Sequence, residues 1–264
     1  MIGVIGVGAI AAAMVAGLSG GSEPPEILLS PRNAELVAKL AACYPNVRVA
    51  DSNQAVVEQS AVVLLCLRPS DAPRVMSELK FQDQSLISVM AGIPLGALRE
   101  LAAPAQDIVR AIPLPSVAFR RGITPLYPVA DPARGLFGRL GRVIEVADET
   151  AFDLFSTSTA TIAAHFAYLN RISDWLAAQG ISQPAARQYV AAMFGEVATS
   201  LQGSDPDFRE LVREHATPGG INELFCQVIG DEGVWEAVNA GLDRVRQALL
   251  DRGNGFQAGK TRAD

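Results

Sequence analysis

The chain has 264 residues, 49% hydrophobic and 19% charged, enough to bury the core of one large domain or two. Acidic residues outnumber basic ones, 28 to 22, for a formal net charge of -6, and no basic cluster stands out, which removes the electrostatic footprint of a nucleic-acid partner. Three widely spaced cysteines, Cys43, Cys66 and Cys226, form no C-x-x-C pair and sit near no histidine at ligand spacing, so a reduced, cytoplasmic protein without a metal is expected.

The opening, Met1-Ile2-Gly3-Val4-Ile5, has no positive region before its apolar residues and is punctuated by glycine. Neither a signal peptide nor a membrane span is expected, and the fold is expected to begin at once. This short β-branched strand runs into Gly6-x-Gly8-x-x-Ala11 and an alanine-rich helix to about Leu18. The spacing is that of a dinucleotide-binding turn, with a purely structural glycine turn as the alternative. Gly6 permits the turn, Gly8 lets backbone approach a pyrophosphate, and Ala11 lets the helix lie close on the strand, leaving free N–H groups to hold phosphates. Strand Glu26–Ser30 and helix Asn33–Ala42 complete a first βαβ unit. An acidic residue after the second strand would bond a ribose 2′-hydroxyl, but this chain has Ser30-Pro31-Arg32-Asn33. A hydroxyl, an arginine and an amide suit a 2′-phosphate, so NADPH (NADP+) is expected over NADH; a solvated loop arginine is the alternative at Arg32.

Val47–Ala50 reads as a third strand, Asn53–Gln59 as a short helix, and Ala61–Leu67 as an unbroken apolar strand of the kind buried on both faces of a parallel sheet. It ends in Arg68-Pro69-Ser70, a cationic turn at the carboxyl edge where open α/β sheets bind ligands. Helix Asp71–Leu79 follows, then strand Ser85–Met90, closed by Ala91-Gly92-Ile93-Pro94, and helix Leu95–Leu101. Asp107–Ile112 and Ile123–Pro128 are strands, Pro132–Leu140 a helix and Arg142–Val146 a last strand. The alternation predicts an α/β fold, a Rossmann-type doubly wound sheet over residues 1–147.

From Asp148 strand-like runs vanish. Glu149–Gln179, Pro184–Gln202, Asp207–His215, Gly220–Ile229 and Gly233–Asp251 read as helices, with breaks at Gly180, Gly203-Ser204-Asp205-Pro206 and Thr217-Pro218-Gly219-Gly220. This predicts an all-α C-terminal domain over 148–251 and a fraying tail over 252–264. Thr159–Ala178 and Ala185–Leu201 carry more apolar surface than one small bundle buries, which suggests a dimer interface; a self-contained helical domain is the alternative.

Acid–base groups are scarce. The histidines are His165 and His215 and the lysines Lys39, Lys80 and Lys260, so Glu149–Gln202 lacks the helix lysine of hydroxyacid dehydrogenases. His165 lies among apolar helix residues and reads as a satisfied interface histidine. His215 precedes Ala216-Thr217-Pro218-Gly219-Gly220-Ile221-Asn222, whose N–H groups at a helix start suit a carboxylate, with a plain interhelical turn as the alternative. No HExxH, no D-x-D-x-D-G loop and no G-x-S-x-G setting occurs.

With these residues in place the sequence resembles the pyrroline-5-carboxylate reductase family along nearly its whole length. The opening glycine turn, Leu67-Arg68-Pro69 (for V-K-P), Ala91-Gly92-Ile93 (for A-G-V), Arg110-Ala111-Ile112-Pro113 (for R-x-M-P) and Thr217-Pro218-Gly219-Gly220 (for S-P-G-G) carry the resemblance. It implies that Gly6, Gly8, Ala9 and Ile10 hold pyrophosphate and that Ser30, Arg32 and Asn33 meet the adenosine ribose phosphate. Asn53 would reach the adenosine side, and Leu67, Arg68, Pro69, Ala91 and Gly92 would flank ribose and nicotinamide. Gly219, Gly220, Ile221 and Asn222 would hold a substrate carboxylate, with Pro113 and Ser158 beside the substrate. Asn222 and Thr217 would act by positioning alone, since a pyrroline nitrogen is easily protonated. The reaction implied is hydride transfer from NADPH to the C=N carbon of a cyclic imine, giving a cyclic imino acid such as proline, in a homodimer or higher homo-oligomer with no membrane partner.

Departures from the family pattern gather where substrate should bind. Pro113-Leu114-Pro115-Ser116 stands for P-N-T-P, Ser156-Thr157-Ser158-Thr159-Ala160-Thr161 for S-G-S-G-P-A, and Asn222 where Thr is usual after the glycine pair. Three readings therefore stand at this point: a pyrroline-5-carboxylate reductase, a reductase of the same fold acting on another imine or carbonyl, and a non-catalytic NADP(H)-binding relative.

Overall fold

A computed structural model describes residues 1–199, 201 and 207–258. The expected break at Gly203-Ser204-Asp205-Pro206, the expected helix end at Gln202 and the expected tail beyond 258 lie outside the described residues. The chain divides into two compact units, Met1–Thr157 together with the stretch from Arg246 onward, and Ser158–Val245.

The first unit alternates strand and helix: β1 (Ile2–Ile5), α1 (Ala9–Ser19), β2 (Ile27–Leu29), α2 (Ala34–Cys43), β3 (Val47–Val49), α3 (Asn53–Gln59), β4 (Val62–Leu65) and α4 (Ala72–Ser77). It continues with β5 (Ser85–Ser88), α5 (Leu95–Leu101), β6 (Ile108–Ala111), β7 (Gly122–Tyr127), α6 (Asp131–Gly138), β8 (Gly141–Glu145) and α7 (Glu149–Ser158). The strands form one eight-stranded sheet in the order β3-β2-β1-β4-β5-β6-β7-β8, antiparallel only between β6 and β7. Paired apolar residues explain why these segments are strands buried on both sides. Successive side chains go to opposite faces, so Val4, Leu29, Leu64, Ile87 and Val109 fill one core while Ile5, Leu28, Leu65, Leu86 and Ile108 fill the other. The strand order reverses at β1, which has β2 on one side and β4 on the other, and that reversal opens a crevice at their carboxyl ends.

The second unit contains α8 (Thr161–Ala178), α9 (Gln183–Thr199), α10 (Phe208–His215), α11 (Ile221–Asp231) and the start of α12 (Val234–Ala258). Phe194 on α9 meets the rings of His165 and Tyr168 on α8 edge-on, at centroid distances of 6.0 and 5.9 Å.

The structure corrects four expectations. The predicted helix Glu149–Gln179 is two, because hydroxyl side chains compete for its main-chain acceptors: Thr157 Oγ1 donates to the Asp153 carbonyl and Thr161 Oγ1 to that of Ser158, both at 2.8 Å. The boundary between units falls after Thr157 rather than after residue 147, because α7 is tied to the sheet by side chains described below. Residues 252–258 are the end of α12 and not a frayed tail; Phe256 packs on the second core, and Gly253 lies against Pro94. A short 3-10 turn, Pro115–Phe119, follows β6 where no element was expected, and Gly17 of α1 faces its Val117 carbonyl without room for a side chain.

Candidate active site

β1 runs into Gly6 at φ +89, and a Cβ there would lie 2.7 Å from the carbonyl oxygen of Cys66, the residue after β4. Glycine is therefore required both by conformation and by crowding. Two residues on, exposed Gly8 caps α1 in an extended conformation with no side-chain hydrogen bond, and a Cβ on it would meet nothing within 4 Å. Backbone N–H groups at the start of α1, Ala9 and Ile10 among them, are thus uncapped beside open space, which fits a pyrophosphate.

Around this turn the carboxyl ends of the strands bring together Ser30 and Arg32 after β2, Asn53 at the start of α3, Leu67-Arg68-Pro69 after β4 and Ala91-Gly92 after β5. Arg32 is exposed, and its Nη1 lies 3.3 Å from Asp71 Oδ2. The Asn33 amide donates to the Val7 carbonyl at 3.0 Å, binding the β2 loop to the glycine turn. Ser52 caps α3 by accepting from the Ala55 N–H at 3.1 Å, and Asn53 follows at its first position. Arg68 is exposed at the head of the turn Pro69–Asp71, while Leu67 leans on the second core.

Two expected contacts are placed differently. Ser30 is only 1% exposed, and its hydroxyl oxygen accepts the Gly6 N–H at 3.0 Å, so it braces the turn from inside instead of facing a ribose phosphate. Gly92 is buried beneath α12; a Cβ would lie 2.9 Å from Arg252 Cδ and 3.2 Å from Leu249 Cδ2. Its missing side chain admits a helix of the same chain, and Ala91 is the exposed member of the pair. At the edge of β4, burial pushes the Cys66 thiol up to about 12, which keeps it protonated and inert.

After β6, Pro113 is buried, and three residues before it, within the strand, Arg110 is 2% exposed. Arg110 donates to Glu149 Oε1 at 2.7 Å and to Asp153 Oδ1 at 2.8 Å, and its guanidinium carbon sits 4.5 Å above the centre of the Phe152 ring. Glu149 Oε1 also accepts the Leu95 N–H at 2.6 Å, so one cluster joins β6, α5 and α7. In the sequence Arg110 stands out only within the motif Arg110-Ala111-Ile112-Pro113. A lone arginine in an otherwise apolar strand was the available signal, since a buried cation needs acidic partners.

In the second unit the loop Thr217–Gly220 leads into α11 with Gly220 as its uncapped N-terminal residue. Gly219 has φ +74, and its N–H donates to Glu223 Oε2 at 2.8 Å. Gly220 donates to the Thr217 carbonyl at 2.8 Å, and the Asn222 amide donates to the His215 carbonyl at 3.0 Å. Asn222 thus fixes the loop to α10, while Ile221 is 85% exposed. The carboxylate of Glu223 occupies the Gly219 N–H expected to meet a substrate carboxylate; a Glu three residues after the helix-capping glycine is the signal for this in the sequence. Ser158 is exposed at the end of α7. Among the described residues no group of three or more His, Cys, Asp or Glu is placed to hold a metal ion, and no helix is long and apolar enough to cross a membrane.

Comparison with known proteins is consistent with this geometry. Residues 1–92 match the family described as NADP oxidoreductase coenzyme F420-dependent. A pyrroline-5-carboxylate reductase of Corynebacterium melassecola is 25% identical over 269 residues, 95% of this chain and 96% of that protein. A crystal structure of 1-pyrroline-5-carboxylate reductase from Streptococcus pyogenes superposes with a TM-score of 0.81 at 24% identity, covering 95% of this chain and 98% of that one. One of pyrroline carboxylate reductase from Plasmodium falciparum, with NADP bound, gives 0.80 at 16%, covering 96% and 97%. In sequence and in fold, along nearly its whole length, the chain is similar to the pyrroline-5-carboxylate reductases.

Proposed function

We propose that the chain is an NADPH-dependent oxidoreductase acting on CH–NH bonds, and that it reduces the C=N bond of a cyclic imine carboxylate, pyrroline-5-carboxylate to proline. The observation that carries this reading is the uncapped, glycine-lined N-terminus of α1 at the switch point of the sheet, in a chain similar throughout to a pyrroline-5-carboxylate reductase. NADPH supplies the hydride when bound. The N–H groups of Gly8, Ala9 and Ile10 hold its pyrophosphate, and Arg32 takes the 2′-phosphate through a planar, charge-assisted pair. Ala91 and the Leu67-Arg68-Pro69 turn border the ribose and nicotinamide. The N–H groups of Ile221 and Asn222, at the uncapped start of α11, hold the substrate carboxylate, and Thr217 and the Asn222 side chain keep that loop in place. Because a pyrroline nitrogen takes its proton readily, orientation of two ligands does the catalytic work.

A second reading is favoured by Glu223. Its carboxylate already takes the Gly219 N–H, and a substrate carboxylate must displace or tolerate it, so an imine or carbonyl without that group is the alternative acceptor. Purified protein with NADPH and pyrroline-5-carboxylate, followed by loss of nicotinamide absorbance, tests the first reading. Turnover supports it. NADPH binding without turnover, but with turnover of an uncharged cyclic imine, selects the second; NADPH binding with no turnover of any imine or ketone selects a non-catalytic relative. Glu223→Gln should lower KM for a carboxylated imine and leave NADPH binding unchanged if the first reading holds.

A homodimer through the C-terminal helices belongs to the same proposal. In the second unit only Ser173, Ala186 and Val190 are buried among the described residues, while Phe166, Trp175, Tyr189 and Leu224 stand 60% exposed or more. An apolar cavity of about 990 Å³ lies between α8 and the start of α12, bordered by Ile162, His165, Tyr168, Trp235, Val238 and Leu242. Such a face asks for a second copy. Trp175→Glu should shift sedimentation from dimer to monomer.

A further inference from the structure

β2 and β4 flank β1 in the sheet, so a contact between the loop after β2 and the turn after β4 crosses the carboxyl edge of β1, from which Gly6 and Gly8 rise. Arg32 and Asp71 make such a contact. Two strands separated by a third stand about 10 Å apart, so the arginine reaches over the glycine turn to meet its partner. Its side chain is 64% exposed and that of Asp71 30%, with 3.3 Å between Nη1 and Oδ2. Arg74, the next cation on α4, is turned to Glu78 at 3.7 Å and leaves Asp71 to Arg32.

We propose that Asp71 is a cofactor-specificity residue, holding Arg32 across the adenosine end of the crevice and surrendering it to a 2′-phosphate. The proposal rests on the cofactor reading given above. An exposed ion pair is weak, and a phosphate with nearly two charges and paired oxygens displaces a single carboxylate from a guanidinium. Asp71 then remains beside the phosphate as a like charge. A ribose 2′-hydroxyl meets no such conflict, since it is neutral and an acidic oxygen accepts its hydrogen bond, the arrangement by which dinucleotide sites recognise NADH. Asp71 therefore narrows the preference for NADPH that Arg32 alone would confer.

Asp71→Asn removes the charge and keeps the size. Fluorescence titration of the full-length protein at low salt, with NADPH and separately with NADH, reads both dissociation constants. NADPH should bind about fivefold tighter to the variant, with NADH unchanged or weaker, the size expected when one like charge is removed near a phosphate and a surface pair is released. In an Arg32→Ala background the gain should shrink, because there is no guanidinium to release. Unchanged NADPH affinity, or equal changes for both nucleotides, overturns the proposal while leaving the cofactor reading intact. A wild-type protein that binds neither nucleotide overturns both.

Discussion

Arg110→Met tests the cluster that fastens α7 to the sheet. The substitution keeps a long side chain over Phe152 but removes a cation that is 2% exposed and bonded to Glu149 at 2.7 Å and to Asp153 at 2.8 Å. Removing one partner of a buried ion pair costs about 3–5 kcal/mol because the remaining charge is left uncompensated. Here the carboxylates are 33% and 28% exposed, so water screens them in part and the lower end, about 3 kcal/mol, applies. For a unit of this size that lowers Tm by roughly 6–12 °C. Urea unfolding followed by circular dichroism, at one fixed protein concentration, measures the loss directly. Arg134→Met serves as a control, since Arg134 pairs with Asp131 and Glu145 on the open surface and its loss should leave the midpoint where it is. If Arg110→Met unfolds at the wild-type midpoint, the cluster does not hold the elements together and the account of the domain boundary fails with it.

Two further outcomes are expected. Gly6→Ala forces a Cβ to 2.7 Å from the Cys66 carbonyl at a positive φ, which should cost about 1–3 kcal/mol and abolish tight NADPH binding, whereas Gly8→Ala, facing open space, should weaken NADPH binding while leaving the unfolding midpoint unchanged. Equal effects of the two substitutions on stability would contradict the assigned geometry. Alkylation at about pH 8 with mass-spectrometric readout should label exposed Cys43 and Cys226 and spare Cys66, because only the thiolate reacts and the Cys66 thiol is pushed up to about 12; labelling of Cys66 in the native protein should begin only as the pH climbs toward that value.

The centre of the sheet is legible in the sequence because β1, β2 and β4 are short runs without a polar side chain, and the turns between strands carry glycine and proline. Asn53–Gln59 and Leu95–Leu101 are predicted with their observed ends, each set by a neighbouring cap or proline. What the sequence hides depends on partners far away. Arg110 meets Glu149 and Asp153, distant along the chain, and α12 continues past Asp251 because Phe256 finds the core of the first unit. The facing of Ser30 is hidden for another reason: a strand apolar on both sides gives no sign of which way its last residue points. At the loop Thr217–Gly220 the motif is readable in the sequence, whereas the Glu223 carboxylate on the Gly219 N–H is visible only in the structure.

The return of α12 to the first unit bears on how the protein is made. Leu249 and Arg252 lie over Gly92, and Gly253 lies against Pro94, yet these residues leave the ribosome long after the sheet they cover. The first unit therefore cannot finish folding as it emerges, ahead of the helices, in the order usual for chains built of successive domains. The surface at Gly92 and Pro94 stays uncovered until residues 249–253 have been synthesised.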